Sequence, residues 1–327
     1  MRAAYIHELG TPDAIRYGEL PAPRPGPTDV LVDTTATTVN PVDTYVRSGL
    51  YRTPVPFPFV LGRDLVGTVA EAPPGAAGFR AGDRVWCNSL GHGGRQGAAA
   101  EQAVVAADRL YHLPAGVDPY QAVTLLHPAA TAYLALFAHG RLGPGQTVLI
   151  AGAAGNVGAA LVTLAARAGA RVLATASARD AAYCAELGAG EVFDYRDPDL
   201  AGTLRGAAPE GVDLHLDTSG GNDLQAAVGL LAPRGRAVLL SGARTRPVLP
   251  VGPLYTHDRA VIGFALSNAT TDELARAARA VNDLLARGAL RPRATETFPL
   301  SATAGIHTRM ERGELRGIRV VLRPDLS

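Results

Sequence analysis

Residues 147–166 read TVLIAGAAGNVGAALVTLAA. A short β-branched run turns through glycine into an alanine- and leucine-rich stretch whose Val157, Leu161, Leu164 and Ala168 fall on one helical face. Gly155 and Gly158 sit at the strand-to-helix turn. A glycine at 155 lets a pyrophosphate approach the backbone amides of Gly155, Asn156, Val157 and Gly158. A glycine at 158 lets the helix pack tightly on the strand, and the helix amino terminus then stabilises the negative charge. Ala153 occupies the place of the first glycine of the usual dinucleotide fingerprint. Taken alone, the glycines could be ordinary turn residues, so the decision rests on what surrounds them.

Downstream, further apolar runs follow at intervals of about 20 to 25 residues: RVLATA (171–176), EVFDY (191–195), VDLHLD (212–217), RAVLLSG (236–242) and AVIGFAL (260–266). Helical segments separate them, which predicts an α/β unit with a doubly wound parallel sheet and helices on both faces. Upstream the pattern changes to short strands broken by Pro and Gly, DVLVDTTAT, LVGTVAEA, RVWCNS, AAEQAVV and RLYHLP, as in a partly open antiparallel barrel. After residue 266 come a helix (TDELARAARAVNDLLARG), a strand (TETFPL), a second helix and a closing strand, IRVVLR. That closing strand is expected to return to the barrel. The doubly wound sheet, 122–266, is then an insertion in a second, mostly β domain made of 1–121 and 267–327, with the default active site in the cleft between them.

Composition agrees with this plan. A chain of 327 residues suggests two domains at roughly 150 residues each. Hydrophobic residues at 47% and charged residues at 19% provide a large core. The formal net charge of +1 offers no footprint for nucleic acid. No lysine occurs, so all 31 Lys-plus-Arg cations are arginine, which excludes Schiff-base, Walker-A and Tyr-x-x-x-Lys chemistry. Two cysteines, Cys87 and Cys184, are too few for a disulfide framework or a thiolate zinc site. With no apolar run of about 18 residues and no signal-like amino terminus, the expectation is a soluble cytoplasmic protein without a membrane partner.

At the end of the second strand, where folds that bind NAD place an acidic residue for the ribose diol, the chain has Ser177-Ala178-Arg179. A hydroxyl and a guanidinium with no carboxylate at that place favour a 2′-phosphate, hence NADPH. The alternative is that Ser177 caps a helix, with Asp180 at capping-box spacing and Arg179 solvated.

Alcohol dehydrogenases of this two-domain plan hold a catalytic zinc with Cys and His. Here the corresponding turns read Asn40-Pro41-Val42-Asp43 and Leu61-Gly62-Arg63-Asp64, without a soft ligand, so no metal is expected. Asp43 and Asp64 are expected to bond turn amides rather than act as bases. With VNPVDTYVRSGLY (39–51), LGRDLVGTV (61–69), GDRVW (82–86), PAATAYLAL (128–136), AGAAGNVG (151–158), ELGAGEVFDY (186–195) and RGIRVVL (316–322), the chain resembles the zinc-independent medium-chain dehydrogenase/reductases of the quinone oxidoreductase, or zeta-crystallin-like, type. It departs from that pattern at Asn156 and at Arg63-Asp64.

The resemblance implies a Rossmann domain inserted in a GroES-like barrel, a homodimer, and NADPH-dependent reduction of a quinone or another α,β-unsaturated carbonyl. By matching position, it implies cofactor contacts at Asn40, Thr131, Gly155, Asn156, Val157, Gly158, Ser177, Arg179, Tyr195, Gly242 and Phe264. Tyr195 would stack on adenine or bond the ribose phosphate; simple strand-end packing is the alternative. For the chemistry, Tyr45, Arg47 and Tyr51 are candidate donors, Tyr51 first, with Asn40 orienting the carboxamide or the acceptor oxygen. Two alternatives stand beside this. One is a trans-enoyl thioester reductase, for which Arg47, Arg52, Arg63 and Arg95 would form a basic entrance. The other is a protein that binds NADPH without efficient turnover.

Overall fold

The computed structural model describes residues 1–326 and divides into two compact units, residues 1–127 with 270–327, and residues 128–269. In the second unit six strands form one sheet in the order Glu191–Asp194, Arg171–Ala176, Thr147–Ala151, Val212–Asp217, Leu231–Leu239 and Ala260–Gly263. Every neighbouring pair is parallel. The chain starts in the middle, winds outward to one edge, then returns to wind to the other. Strand order therefore reverses beside Thr147–Ala151, and the turn after that strand lies at the switch point where such sheets bind ligands. Its residues Val148, Leu149 and Ile150 are fully buried, as a strand covered by helices on both faces requires.

The fifth strand begins at Leu231, earlier than the apolar pattern suggests. Leu231 pairs with Val212, the register then slips, and regular pairing resumes at Arg236 with Leu214. Arg234, at φ 65°, occupies this irregular stretch, so the apolar run from 236 marks the part that pairs regularly.

In the first unit a seven-stranded sheet runs Thr295–Pro299, Arg319–Arg323, Asp29–Thr37, Leu65–Glu71, Arg84–Cys87 and Tyr111–His112, with Gln102–Ala106 also on Asp29–Thr37. A second sheet of three strands joins Arg16–Glu19, Arg2–Ile6 and Phe59–Val60. The last strand lies parallel to Thr295–Pro299 and antiparallel to Asp29–Thr37, so the carboxy terminus closes the sheet begun near the amino terminus. Helix Thr271–Ala286 starts with a reciprocal cap between Thr270 and Glu273. It is fixed to the sheet where the Trp86 indole donates to Asn282 Oδ1 at 2.9 Å. Among the described residues no helix is long and apolar enough to cross a membrane.

Candidate active site

The glycine turn of the second unit is built by three close approaches. Gly152 follows strand Thr147–Ala151 at φ +77°, and a Cβ there would come 2.6 Å from Thr218 Oγ1. At Gly158 a Cβ would lie 2.2 Å from the Gly152 carbonyl oxygen. At Gly155 the nearest atom to an added Cβ is that same oxygen at 3.2 Å, so the protein's own packing demands less of this glycine. Gly152 was missed by the sequence analysis: the tight turn sits one residue before Ala153, and a G-x-x-G-x-x-G count would have found it.

Helix Asn156–Arg167 starts with Gly155 as N-cap and has no capping side chain. Its first intrahelical bond runs from the Ala159 amide to Gly155 O at 2.8 Å, so Asn156, Val157 and Gly158 have no helical acceptor. Open amides, a helix dipole and a glycine surface together fit a diphosphate.

At the end of strand Arg171–Ala176 lie two carboxylates, Asp180, which the sequence offered only as a capping-box partner, and Asp194, which it did not bring to this place. The short turn Ala178–Asp180 folds back so that Ser177 Oγ donates to Asp180 Oδ2 at 2.6 Å. The Ala178 amide donates to Asp194 Oδ2 at 3.3 Å. Ser177 therefore takes the N-cap place, but its hydroxyl bonds the carboxylate rather than a backbone amide. Arg179 reaches over Asp180 at 3.6 Å while staying 80% exposed. Tyr195 is 51% exposed, with the Arg196 guanidinium 5.0 Å above its ring. Arg196 is a second cation at this edge that the sequence analysis overlooked; its position directly after Tyr195 was the signal.

Beyond strand Val212–Asp217 the loop is wired by one carboxylate. Asp217 Oδ1 accepts from the Ser219 amide at 2.7 Å, the Ser219 hydroxyl at 2.7 Å and the Gly220 amide at 3.3 Å. Its Oδ2 accepts from the Asn222 amide at 2.8 Å. Asn222 Nδ2 in turn donates to Ser241 O at 3.0 Å, and a Cβ at Gly242 (φ +83°) would lie 2.1 Å from that Nδ2. Phe264 stacks on His139 at 4.3 Å. Thr131 Oγ1 is buried without a hydrogen-bond partner, an orphan that a bound cofactor could satisfy. The donor set of this unit fits a dinucleotide.

The first unit holds a buried polar cluster at the turns of Asn40 and Arg63. Asp43 Oδ2 accepts from the Asn40 amide at 2.7 Å, the turn bond expected of it. Asp64 instead accepts at Oδ2 from Asn40 Nδ2 at 3.1 Å. Arg319 Nη2 donates to Asn40 Oδ1 at 3.0 Å, so both ends of the Asn40 carboxamide are engaged. Arg63 Nε lies 3.8 Å from Asp43 Oδ1, and His127 Nδ1 lies 3.7 Å from Asp64 Oδ1.

Burial, relieved by Arg63, the Asn40 amide and Arg319, leaves Asp43 pushed up to about 6. Burial and then the neighbouring Asp43 push Asp64 to about 8, so at neutrality it holds a proton. Burial, with Arg63 and Arg319 adding to it, drives His127 down to about 3, so its ring stays neutral. Asp64 Oδ1 and His127 Nδ1, 3.7 Å apart, are both buried without a hydrogen-bond partner. Among the described residues no group of three or more His, Cys, Asp or Glu is disposed to hold a metal ion.

Tyr51 is half-buried, with its ring 5.6 Å from that of His92, and Arg63 faces it electrostatically. Tyr45 is half-buried on helix Pro41–Arg47. Arg47 is buried and directs Nη2 to Glu311 on helix Thr303–Glu311, beside His307. Of the four sequence-derived catalytic candidates, the structure sets Asn40 and Tyr51 beside Arg63 and its carboxyls. It gives Arg47 a bridge between two helices.

Comparison with known proteins bears on both units. A family model described as alcohol dehydrogenase GroES-like domain matches residues 26–115, and one described as zinc-binding dehydrogenase matches 156–283. The chain is 30% identical to a quinone oxidoreductase of Mus musculus, over 98% of this chain and 97% of that one. Its fold is similar to a quinone oxidoreductase structure from Pseudomonas syringae pv. Tomato DC3000, with TM-score 0.87 and 27% identity over 99% of each chain. It is also similar to a mycobacterial protein solved in complex with NADPH, with TM-score 0.85 and 30% identity over 99% of this chain and 100% of the other.

Proposed function

Because the chain belongs to the medium-chain dehydrogenase/reductase family, among its quinone oxidoreductase or zeta-crystallin-like members, we propose that this oxidoreductase is an NADPH-dependent, metal-independent reductase of quinones or other α,β-unsaturated carbonyls. The observation that carries the proposal is the glycine cradle at the open amino terminus of helix Asn156–Arg167. Bound there, NADPH supplies the hydride. The amides of Asn156, Val157 and Gly158 would hold the diphosphate, and Thr131 Oγ1 would be free to bond the cofactor. Arg179 and Arg196 favour a 2′-phosphate because Asp180 is already engaged by Ser177 and Arg179. Tyr195, exposed beside Arg196, meets the adenine or the ribose phosphate.

Tyr51 holds the proton at its hydroxyl and gives it to the acceptor, with Tyr45 as second choice. Asn40, engaged at both ends, is a positioning residue that anchors Asp64. Metal independence is supported by the donor chemistry: Arg63 presents a cation to Asp43, and a guanidinium cannot ligate another cation.

The test follows loss of nicotinamide absorbance with NADPH and with NADH against benzoquinone, phenanthrenequinone and pentenone. NADPH is expected to be preferred by about tenfold or more in kcat/KM, the scale of one charge-assisted phosphate contact. Arg179→Ala with Arg196→Ala should erase that preference. Tyr51→Phe should slow pentenone, which needs a proton at carbon, far more than the quinones. Equal use of both dinucleotides contradicts the cofactor assignment, and no turnover with any acceptor favours a binding protein.

A homodimer is supported by edge strand Ala260–Gly263, hydrogen-bonded on one side only, and by exposed Val248 (75%), Val251 (58%) and Tyr255 (71%) in the preceding segment. Light scattering should give twice the chain mass, falling to the single-chain mass in Val248→Glu with Tyr255→Glu. A monomeric wild-type protein excludes this assembly. The cytoplasm is the compartment we assign, in keeping with a chain whose two cysteines, Cys87 and Cys184, both lie buried rather than building a disulfide framework.

A further inference from the structure

Two cations of the first unit, Arg63 and Arg95, carry donors that the chemistry described so far does not use. Arg63 is 1% exposed, and none of Nε, Nη1 and Nη2 has a hydrogen-bond partner. Arg95, half-buried, donates from Nη2 to Ser89 O at 3.2 Å, while its Nε is likewise buried and unpartnered. His92 lies beside them with Nδ1 in the same state. Burial and then the charges of Arg63, Arg95 and Arg109 push His92 down to about 4, and the Leu90 amide, donating to Arg63 O at 3.2 Å, ties the Arg63 turn to the segment that carries His92 and Arg95. Arg63 and Arg109 also act on Arg95, and both oppose its charge.

The segment carrying His92 and Arg95 is held in shape. The Gly93 amide donates to Thr53 Oγ1 at 2.8 Å, the Gly94 amide to Pro54 O at 3.2 Å, and the Arg95 amide closes a turn on His92 O at 3.3 Å. Gly91, Gly93 and Gly94 all take positive φ, so the turn depends on glycine. The carboxyls that face these cations are few. Asp43 approaches Arg63 only to 3.8 Å, Asp64 holds a proton at neutrality, and Asp108 acts on Arg95 more weakly than Arg109 and Arg63 do.

Leaving a buried donor unpaired is costly, and more so when it is charged. The donors of Arg63, whose nearest carboxyl is Asp43 at 3.8 Å, and Nε of Arg95, in the glycine turn beside His92 and the proposed proton donor Tyr51, are left for an anion that is not part of the chain. We propose that Arg95, backed by Arg63, forms an anion subsite for a carboxylate carried by the acceptor, so that the preferred substrates are α,β-unsaturated carbonyls bearing a free carboxylate. This rests on the reading of the chain as an enone and quinone reductase. Arg95 is the partly exposed fork that meets the carboxylate, and Arg63 lies out of water, where its field is least screened. Of the four arginines considered as a basic entrance from sequence, Arg63 and Arg95 bond to adjacent residues, the Leu90 amide donating to Arg63 O and Arg95 Nη2 to Ser89 O, whereas Arg47 is spent on Glu311.

The experiment compares acetylacrylate with its methyl ester, the same enone with and without the charge, and reports the acid-to-ester ratio of kcat/KM. The expected ratio is about tenfold or more in the wild-type enzyme, equivalent to one charge-assisted contact, and near or below one in Arg95→Gln. Arg95→Lys, which keeps the charge but loses the fork, should fall between them. Calorimetric titration of wild-type protein with levulinate, the saturated analogue, should show binding that levulinate methyl ester lacks, whether or not any acceptor is turned over.

Quinone turnover with a wild-type ratio near one overturns the subsite and leaves the proposed function standing. Levulinate binding without turnover of any acceptor supports the subsite and removes the function. Absence of levulinate binding overturns the subsite outright. Preference for a crotonyl thioester bearing coenzyme A over both acetylacrylate forms would assign the cations to a phosphate and overturn the carboxylate.

Discussion

Alanine at position 158 is expected to cost both the stability of the doubly wound unit and nearly all of its affinity for NADPH. The added Cβ would stand 2.2 Å from Gly152 O, 2.8 Å from Ala153 Cα and 2.9 Å from Ala153 C. All three are backbone atoms, so no side chain can swing aside, and the helix must lift off strand Thr147–Ala151 or the turn at Gly152 must open. Overpacking of this kind typically costs about 1–3 kcal/mol and, against backbone, the upper end or beyond. Lifting the helix also moves the three open amides away from the diphosphate, so NADPH affinity should fall by about a hundredfold or more, some 2.7 kcal/mol.

Gly155→Ala separates packing from ligand contact. Its Cβ would meet nothing nearer than 3.2 Å, a tight contact but a far milder one than at 158, so urea midpoints should fall much less than for Gly158→Ala while NADPH affinity still drops, because the methyl occupies ligand space. Fluorescence titration with NADPH beside urea denaturation reads both variants. A Gly155→Ala protein that binds NADPH as the wild type does would show that the diphosphate lies elsewhere.

Asp64→Asn is expected to make the protein more stable at alkaline pH and to leave its acid behaviour intact. In the folded chain Asp64 holds its proton up to about 8, against an ordinary value near 3.8. Its stability contribution is therefore complete below about pH 4, where both states are protonated, and is lost as pH rises towards 8. A carboxyl displaced that far from its ordinary value forfeits stability on the order of 5 kcal/mol across that span. Asparagine cannot ionise, keeps an oxygen to accept from Asn40 Nδ2, and can donate to the orphaned His127 Nδ1.

Asp43, raised to about 6, contributes a smaller loss of the same sign in both proteins. His92, His127 and His307 are depressed by burial, and their contribution disappears as pH falls from 6.5 towards 3 or 4. Urea midpoints taken near pH 5, 7 and 9 should therefore run together in acid and diverge in base, with the variant above. Parallel curves across that range would mean that Asp64 is ionised in the folded protein and that the cluster is read incorrectly.

The contrast between these two sites shows what a sequence discloses. The six strands of the second unit were legible because each is a short apolar run and a parallel sheet buries both faces, so strand centres at Val148, Leu173 and Leu216 stand out. The closing strand was legible for the same reason, since Val320, Val321 and Leu322 are all buried. The diphosphate turn was legible because Gly155 and Gly158 are local to one strand and one helix.

The polar cluster was not. Asn40 meets Asp64 across 24 residues and Arg319 across 279, and nothing periodic links those positions. The carboxylate of Asp180 was visible, but the turn that carries it back onto Ser177 was not. Likewise Arg47 read as an active-site cation until helix Thr303–Glu311 placed Glu311 against it.

The measurement that bears most directly on the proposed chemistry is the fate of deuterium carried on the nicotinamide of NADPH, followed by NMR through a single turnover with pentenone. Direct transfer to the β-carbon of the product, a solvent-derived proton on the α-carbon, and the same rate in a metal chelator are the predicted results. Deuterium lost to solvent, or turnover abolished by the chelator and restored by zinc, would contradict it.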